Sequence, residues 1–148
     1  MSTIKVTNIN DTSNNASLVT DNAGIKTDKL TGNSTAGSIS VVGEGNSNTT
    51  NLQQGLVKAW VFSGDDASLT NAFNVASGTD NSTGNYTFTY TSNLANGNPS
   101  AAASVTDNSD RNATVYSTST TAFTTEVFIQ NGNESDTRNR TIICGDLA

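Results

Sequence analysis

Asp65 and Asp66 form the only pair of adjacent carboxylates in a chain of 148 residues that contains no histidine. Without histidine, neither a Ser-His-Asp triad nor a histidine-ligated metal site can form. Neighbouring side chains of an extended chain point in opposite directions, so these two carboxylates cannot face one scissile bond together. We therefore expect an exposed turn at this pair and no enzymatic activity.

Three further segments carry residue types that bind cations or nucleotides. Asp107–Asp110 and Asn131–Asp136 are rich in oxygen ligands of the sort that calcium accepts, but neither has the glycine that a calcium loop requires at its sixth position. Gly43-Glu44-Gly45 lacks the third glycine of a dinucleotide fingerprint and has no helical pattern after it. We expect polar loops and a turn or hinge here, with no metal and no cofactor.

Four side chains are candidates for contact with a ligand or a partner, namely Trp60, Tyr116, Arg138 and Arg140. The two aromatic rings could stack on a sugar ring, because an aromatic face offers a flat apolar surface. The two arginines are separated by two residues, which places them on one face of a strand. There they could pair with Glu126 or Asp136 across a hairpin, or contact a partner.

Charge and hydropathy argue against two classes of partner. Seven basic and thirteen acidic residues give a net charge of −6, and the isoelectric point is near 4.2. Binding to duplex nucleic acid depends on basic residues that neutralise phosphates, so we expect no nucleic-acid partner. The sequence has no run of about 18 apolar residues and no apolar leader, which predicts neither membrane insertion nor a signal peptide. Cys144 is predicted to be a half-buried thiol near the end of a terminal strand.

The distribution of aromatic residues divides the chain in two. All nine aromatic residues lie at or after position 60. Residues 1–54 contain short apolar clusters separated by Gly, Asn, Ser and Thr, and without aromatic side chains they can hardly build a core of their own. We interpret residues 1–54 as a strand-forming arm for attachment or trimerisation, with disorder as the alternative.

Residues 55–148 have the alternation of β-strands. Three aromatic residues alternate with threonines over Tyr86–Thr91, which predicts that Tyr86, Phe88 and Tyr90 face the core. Leu56–Phe62 fits a strand that is covered on both faces. Phe73 and Val75 are predicted to share one face of the next strand.

Turn residues separate the remaining strands. Asp80–Gly84 predicts a hairpin turn. Further strands are predicted at Ala101–Val105, Ala113–Tyr116, Thr124–Gln130 and Thr137–Cys144. Helical periodicity is absent, so helix content should be near zero. The predicted fold is all-β, with the short N-terminal arm followed by an antiparallel β-sandwich-like domain.

Two stretches resemble small virion structural proteins of marine tailed phages. The opening, Ser2–Ser13, has a lysine-bearing strand followed by Asp-Thr-Ser, as many of those proteins do. Residues 56–91 are more specifically similar to a β module of tail-fibre-like proteins of cyanophages, through Lys58–Val61, Phe73–Ser77 and Thr79–Thr87. Ser82 stands where that module has a glycine, and Phe88 where it has a small aliphatic residue.

The resemblance implies a non-enzymatic virion component made in the host cytoplasm. It further implies a homotrimer in which residues 1–54 contact other capsid or tail proteins and residues 55–148 form an outward knob for host attachment. Two alternatives stay open. One is a capsid decoration protein with the same arm and knob, and the other is a glycan-binding β-sandwich module that holds a host surface glycan on Trp60 or Tyr116.

Overall fold

The computed structural model describes residues 28–30, 39–43, 48–106 and 110–145, so most of the predicted arm lies outside the described residues. The elements described below belong to one compact unit, residues 32–148. They comprise one short helix, α1 (Leu52–Gly55), and ten strands: β1 (Ser40–Val42), β2 (Thr49–Asn51), β3 (Val57–Ser63), β4 (Leu69–Phe73), β5 (Val75–Ser82), β6 (Asn85–Tyr90), β7 (Ser100–Val105), β8 (Arg111–Thr118), β9 (Ala122–Ile129) and β10 (Asn139–Cys144).

Eight of these strands form two four-stranded antiparallel sheets. The strand order is β4-β3-β10-β7 in the first sheet and β5-β6-β9-β8 in the second. The two sheets share one core of buried apolar side chains. The predicted all-β fold with an antiparallel sandwich-like domain is therefore confirmed.

The core contains the aromatic residues that the alternation of β6 placed there. Tyr86 and Phe88 have no exposed surface and Tyr90 is 4% exposed, which confirms the prediction for this strand. The ring centroids of Phe88 and Tyr90 lie 5.3 and 5.5 Å from that of Phe123 on β9. Tilted pairs at these distances contribute about 1 kcal/mol each beyond the area they bury.

The chain passes from the first sheet to the second at Asn74. This residue has φ 55°, and it separates Phe73, at the end of β4, from Val75, at the start of β5. Its side chain holds the corner, because Nδ2 donates to the carbonyls of Lys58 and Ser92 at 3.0 Å each. The prediction that Phe73 and Val75 share a face is wrong, since a left-handed residue between them breaks the alternation and sends them to different sheets.

The predicted hairpin at Asp80–Gly84 is confirmed, with a turn shorter than that segment. Ser82 pairs with Asn85, so only two residues lie between the strands. Gly84 has φ +70°, a conformation that side chains with a Cβ rarely adopt. A Cβ there would also lie 2.8 Å from the backbone nitrogen of Ser135 and closer still to the carbonyl oxygen of Val127.

A small hairpin and the helix precede the sandwich. β1 pairs with β2, and the side chain of Asn51 caps α1 by accepting a hydrogen bond from the backbone N–H of Gln54 at 3.1 Å. Lys58, on the outward side of β3, is 5% exposed and its ammonium donates to the carbonyl of Gln53. The helix thus covers one end of β3, and its four residues depart only slightly from the near-zero helix content predicted.

Candidate functional site

The alternation of β3 sends one set of side chains inward and another outward. Ala59, Val61 and Ser63 are buried between the sheets, whereas Trp60 and Phe62 point away from the core and are half-buried. The prediction that this strand is covered on both faces is therefore wrong for these two rings. Their outward surface is covered only in part, because the sandwich has no third layer over them among the described residues.

The register of the sheet adds three neighbours to these rings. Phe73 of β4 and Ile142 of β10 both pair with Trp60, and Arg140 of β10 pairs with Phe62. Directly paired residues of antiparallel strands share a face and bring their side chains together. Phe73 is 51% exposed and Ile142 is 48% exposed. We call these five residues, Trp60, Phe62, Phe73, Arg140 and Ile142, the aromatic face.

The guanidinium of Arg140 packs against the aromatic ring of Phe62. The central carbon of its guanidinium is 4.9 Å from the ring centroid of Phe62, within the range of a cation–π contact. A shallow pocket of about 250 Å³ opens beside Trp60, Phe62, Arg140 and Ile142. The aromatic face therefore offers flat rings, an aliphatic side chain and a positively charged hydrogen-bond donor at one place.

The outward side of the second sheet has a different chemistry. Its strands present hydroxyl groups, and we call Thr79, Thr87, Thr89, Thr114 and Thr124 the threonine face. The hydroxyls of Thr87 and Thr124 are 3.1 Å apart, and Nδ2 of Asn81 donates to the Thr87 hydroxyl at 2.9 Å. This face satisfies part of its polar surface by itself.

Tyr116 lies apart from Trp60 and Arg140. It occupies an irregular position of β8 between Val115 and Ser117, and 66% of its surface is exposed. A groove of about 420 Å³ runs beside it along β7 and β8. The sequence indicated four contact residues. The structure brings two of them, Trp60 and Arg140, together on the first sheet, and it places Tyr116 on β8, an edge strand of the second sheet.

Arg138 precedes β10 and its side chain is exposed, while its carbonyl oxygen accepts a hydrogen bond from the backbone N–H of Thr106 at 3.3 Å. The predicted pairing of an arginine with Glu126 across a hairpin is wrong for Arg140. Glu126 points outward from the second sheet and Arg140 outward from the first, so the whole sandwich lies between them. The segment between β9 and β10 crosses from one sheet to the other and does not form a hairpin within one sheet.

The adjacent carboxylates Asp65 and Asp66 belong to a turn. Asp65 and Asp66 are exposed in the turn between β3 and β4, as predicted. The side chain and the backbone N–H of Ser68 donate to the Asp66 carboxylate, and these hydrogen bonds hold the pKa of Asp66 below its ordinary value. Cys144 is half-buried at the end of β10, also as predicted.

Asp136, in one of the two segments considered for a cation, is engaged in holding loops together. Its Oδ1 accepts a hydrogen bond from the backbone N–H of Gly84 at 2.7 Å and lies 3.2 Å from the hydroxyl of Tyr86. The Tyr86 oxygen accepts in turn from the backbone N–H of Thr137 at 3.1 Å. Across the part of the chain that the structure describes, no three His, Cys, Asp or Glu residues are grouped to hold a metal ion. Residues 107–109 of the other segment lie outside the described residues.

Three members of the aromatic face were not singled out from the sequence. Phe62 could have been found, because its spacing of two from Trp60 places both rings on one face of a strand. Phe73 and Ile142 carried no such signal, since their position beside Trp60 depends on which strands become neighbours.

No protein-family model, curated protein or solved structure matches this chain. Within the described residues, none of the helical structure is long and apolar enough to cross a membrane.

Proposed function

We propose that this protein is a non-enzymatic structural component of a phage virion, exposed on the particle as a homotrimeric, fibre-like knob. The observation that carries the proposal is the contrast between the outward faces of the sandwich. The threonine face is hydroxyl-rich and suits contact with water, whereas Trp60, Phe73 and Ile142 expose apolar surface of the kind that protein interfaces cover. A module with one such face of each kind is suited to assembly rather than to catalysis.

The resemblance and the composition support the same proposal. Residues 56–91, which resemble the tail-fibre-like module, include β3 and the hairpin of β5 and β6 and therefore supply strands to both sheets. The acidic surface and the many Thr, Ser and Asn side chains suit a domain displayed to solvent. Residues 1–54 would then attach the knob to capsid or tail proteins.

Native mass and location in the particle test this proposal. Light scattering on the purified full-length chain should give a trimer, and a monomer would contradict the proposal. A gold-labelled antibody against the chain should then decorate purified virions. Label on the tail supports the fibre-like component, whereas label spread over the head supports the capsid decoration protein.

A glycan-binding module is the second candidate, and the partial exposure of Trp60 beside Phe73 favours it. Aromatic rings on an open sheet offer the flat apolar surface on which a sugar ring stacks. Acrylamide should then quench the fluorescence of Trp60, the single tryptophan, and a bound host polysaccharide should reduce that quenching. Quenching that the polysaccharide leaves unchanged would contradict this candidate.

A further inference from the structure

Two of the four large apolar side chains that the eight sandwich strands expose lie beside Trp60 on one face; the other two are Val57 and Tyr116. Phe73 and Ile142, each about half exposed, flank Trp60 in one row across three neighbouring strands. Contiguous apolar patches on soluble proteins mark sites of interaction, whereas single exposed apolar residues such as Tyr116 need no explanation. The aromatic face is therefore the strongest candidate for a contact surface among the described residues.

The composition of this face is that of a protein interface. Trp, Phe and Arg are enriched at the centres of such interfaces and acidic residues are depleted there. The outward residues of the first sheet include Lys58, Trp60, Phe62, Asn71, Phe73, Ser100, Ala102, Ser104, Arg140, Ile142 and Cys144. Two of these carry charge and both are cations, but Lys58 is buried, so Arg140 is the one that presents its charge to solvent.

Four acidic residues lie close together at one end of the same domain. Asp65 and Asp66 occupy the turn between β3 and β4, and the hydroxyl of Tyr86 lies 3.1 Å from the carbonyl oxygen of Asp65. The Asp136 carboxylate lies 3.2 Å from that same hydroxyl, and Asp80 is paired with Tyr86 across the hairpin. All four carboxylate residues are exposed. We call Asp65, Asp66, Asp80 and Asp136 the acidic end.

We propose that the aromatic face is the docking surface for a second copy of this chain, whose acidic end lies against Arg140. Charge complementarity selects this occupant, because the exposed guanidinium of Arg140 lies on the face and the acidic end of another copy supplies the opposite charge. The apolar rings lose water in the contact and provide its stability. Two different surfaces of each copy take part, so the contact is head-to-tail, and such contacts form a ring when the rotation closes.

This inference deepens the proposed function and rests on it, because it assigns a surface to the trimer contact. The first test measures native mass by light scattering on the full chain. Exchanging both exposed apolar residues, as Phe73→Ser with Ile142→Ser, should weaken association at least about tenfold. Tyr116→Ser removes an aromatic residue of greater exposure away from the face and should leave the mass unchanged.

The outcomes separate the inference from the function. A face variant that keeps the wild-type trimer would overturn the inference but not the proposed function, because the contact would then lie elsewhere, as in residues 1–54. A monomeric wild-type chain would overturn both. Reduced quenching of Trp60 when polysaccharide is added to that monomer would identify a glycan as the occupant instead. Near-ultraviolet circular dichroism of each variant establishes that loss of association is not loss of fold.

Charge reversal tests the acidic end independently. Arg140→Glu alone should weaken association at least about tenfold, because it places like charges together. Adding Asp65→Arg and Asp66→Arg to the same chain should restore part of it, since the charges are again opposite across the contact. Restoration supports a head-to-tail contact between copies. If the combined variant associates no better than Arg140→Glu alone, the acidic end is not the partner surface.

Discussion

The aromatic face and the threonine face are the two outward sides of one sandwich, and they depend on the same core. Both lie on antiparallel strands with buried residues at every second position. On the threonine face the hydroxyls of Thr87 and Thr124 contact each other, so the surface is compatible with water as it stands. On the aromatic face Phe73 exposes half of its surface without a covering layer. The fold therefore requires only the inward residues, and the outward residues are free to differ with function.

The inward residues include a polar group that fastens the end of the sandwich. Tyr86 has no exposed surface, yet its hydroxyl reaches Asp136 and the backbone of Thr137. The hydroxyl of Tyr90, one layer further along β6, is buried and has no hydrogen-bond partner among the described residues. The two tyrosines thus offer a matched pair in which the same substitution removes a hydrogen-bonded group or an unpaired one.

The largest expected loss of unfolding free energy comes from a change to the turn at Gly84, because distortion of this turn would disturb the end of the sandwich that both faces share. Gly84→Ala adds a Cβ that clashes with backbone atoms of Val127 and Ser135 at a positive φ, and should cost about 3 kcal/mol of unfolding free energy. Gly132 also has a positive φ, +86°, but nothing within 4 Å of the added Cβ, so Gly132→Ala should cost about 1 kcal/mol. Urea unfolding measures both, and equal losses would show that the close approach at Gly84 does not matter.

A smaller effect is expected at the matched tyrosines beneath the threonine face. Tyr86→Phe leaves the backbone N–H of Thr137 without its acceptor and should cost about 2 kcal/mol. Tyr90→Phe removes a hydroxyl that has no partner and should stay within about 0.5 kcal/mol of the wild-type protein. Chemical denaturation of both variants under one condition gives the comparison. A greater loss at Tyr90 than at Tyr86 would contradict the hydrogen-bond assignment.

Alkaline pH should destabilise the core that the two faces share, because two buried tyrosines would have to ionise there. Burial raises the pKa of Tyr86 and of Tyr90 from 10.0 to about 12. The unfolded chain releases these protons first, so the stability that the neutral tyrosines contribute is fully present below pH 10 and is lost as pH rises towards 12. The melting temperature should therefore fall between about pH 10 and about pH 12. Tyr90→Phe should show a shallower fall, and an unchanged fall would exclude Tyr90 as a contributor.

The smallest effects are expected from pairs that belong to one face alone. Arg140→Ala should cost about 0.5 kcal/mol through loss of the contact with Phe62, and Arg140→Lys should retain part of it. On the threonine face, Thr124→Val removes the hydrogen bond to Thr87 and should also cost about 0.5 kcal/mol of unfolding free energy. Thermal unfolding of single and double variants gives each coupling energy. A coupling between Arg140 and Thr124 themselves would contradict the independence of the two faces.

The candidate site could be predicted in part. Trp60 and Arg140 were indicated by residue type, and the structure places them on one face. Tyr116 was indicated by the same reasoning but lies on another edge, because residue type does not reveal which strands become neighbours. The failed prediction for Phe73 and Val75 has a local cause, since Asn74 adopts φ 55° and no strand pattern signals a left-handed residue between two apolar ones.

The amino-acid sequence by itself determined the β-strands and the sorting of their side chains. Tyr86, Phe88 and Tyr90 are buried because successive side chains of a strand point to opposite sides, a rule that acts within one segment. Only the tertiary structure decided that Phe73 and Ile142 stand beside Trp60. That arrangement depends on the order and register of strands that are distant in sequence, and these follow from how the two sheets bury their common core.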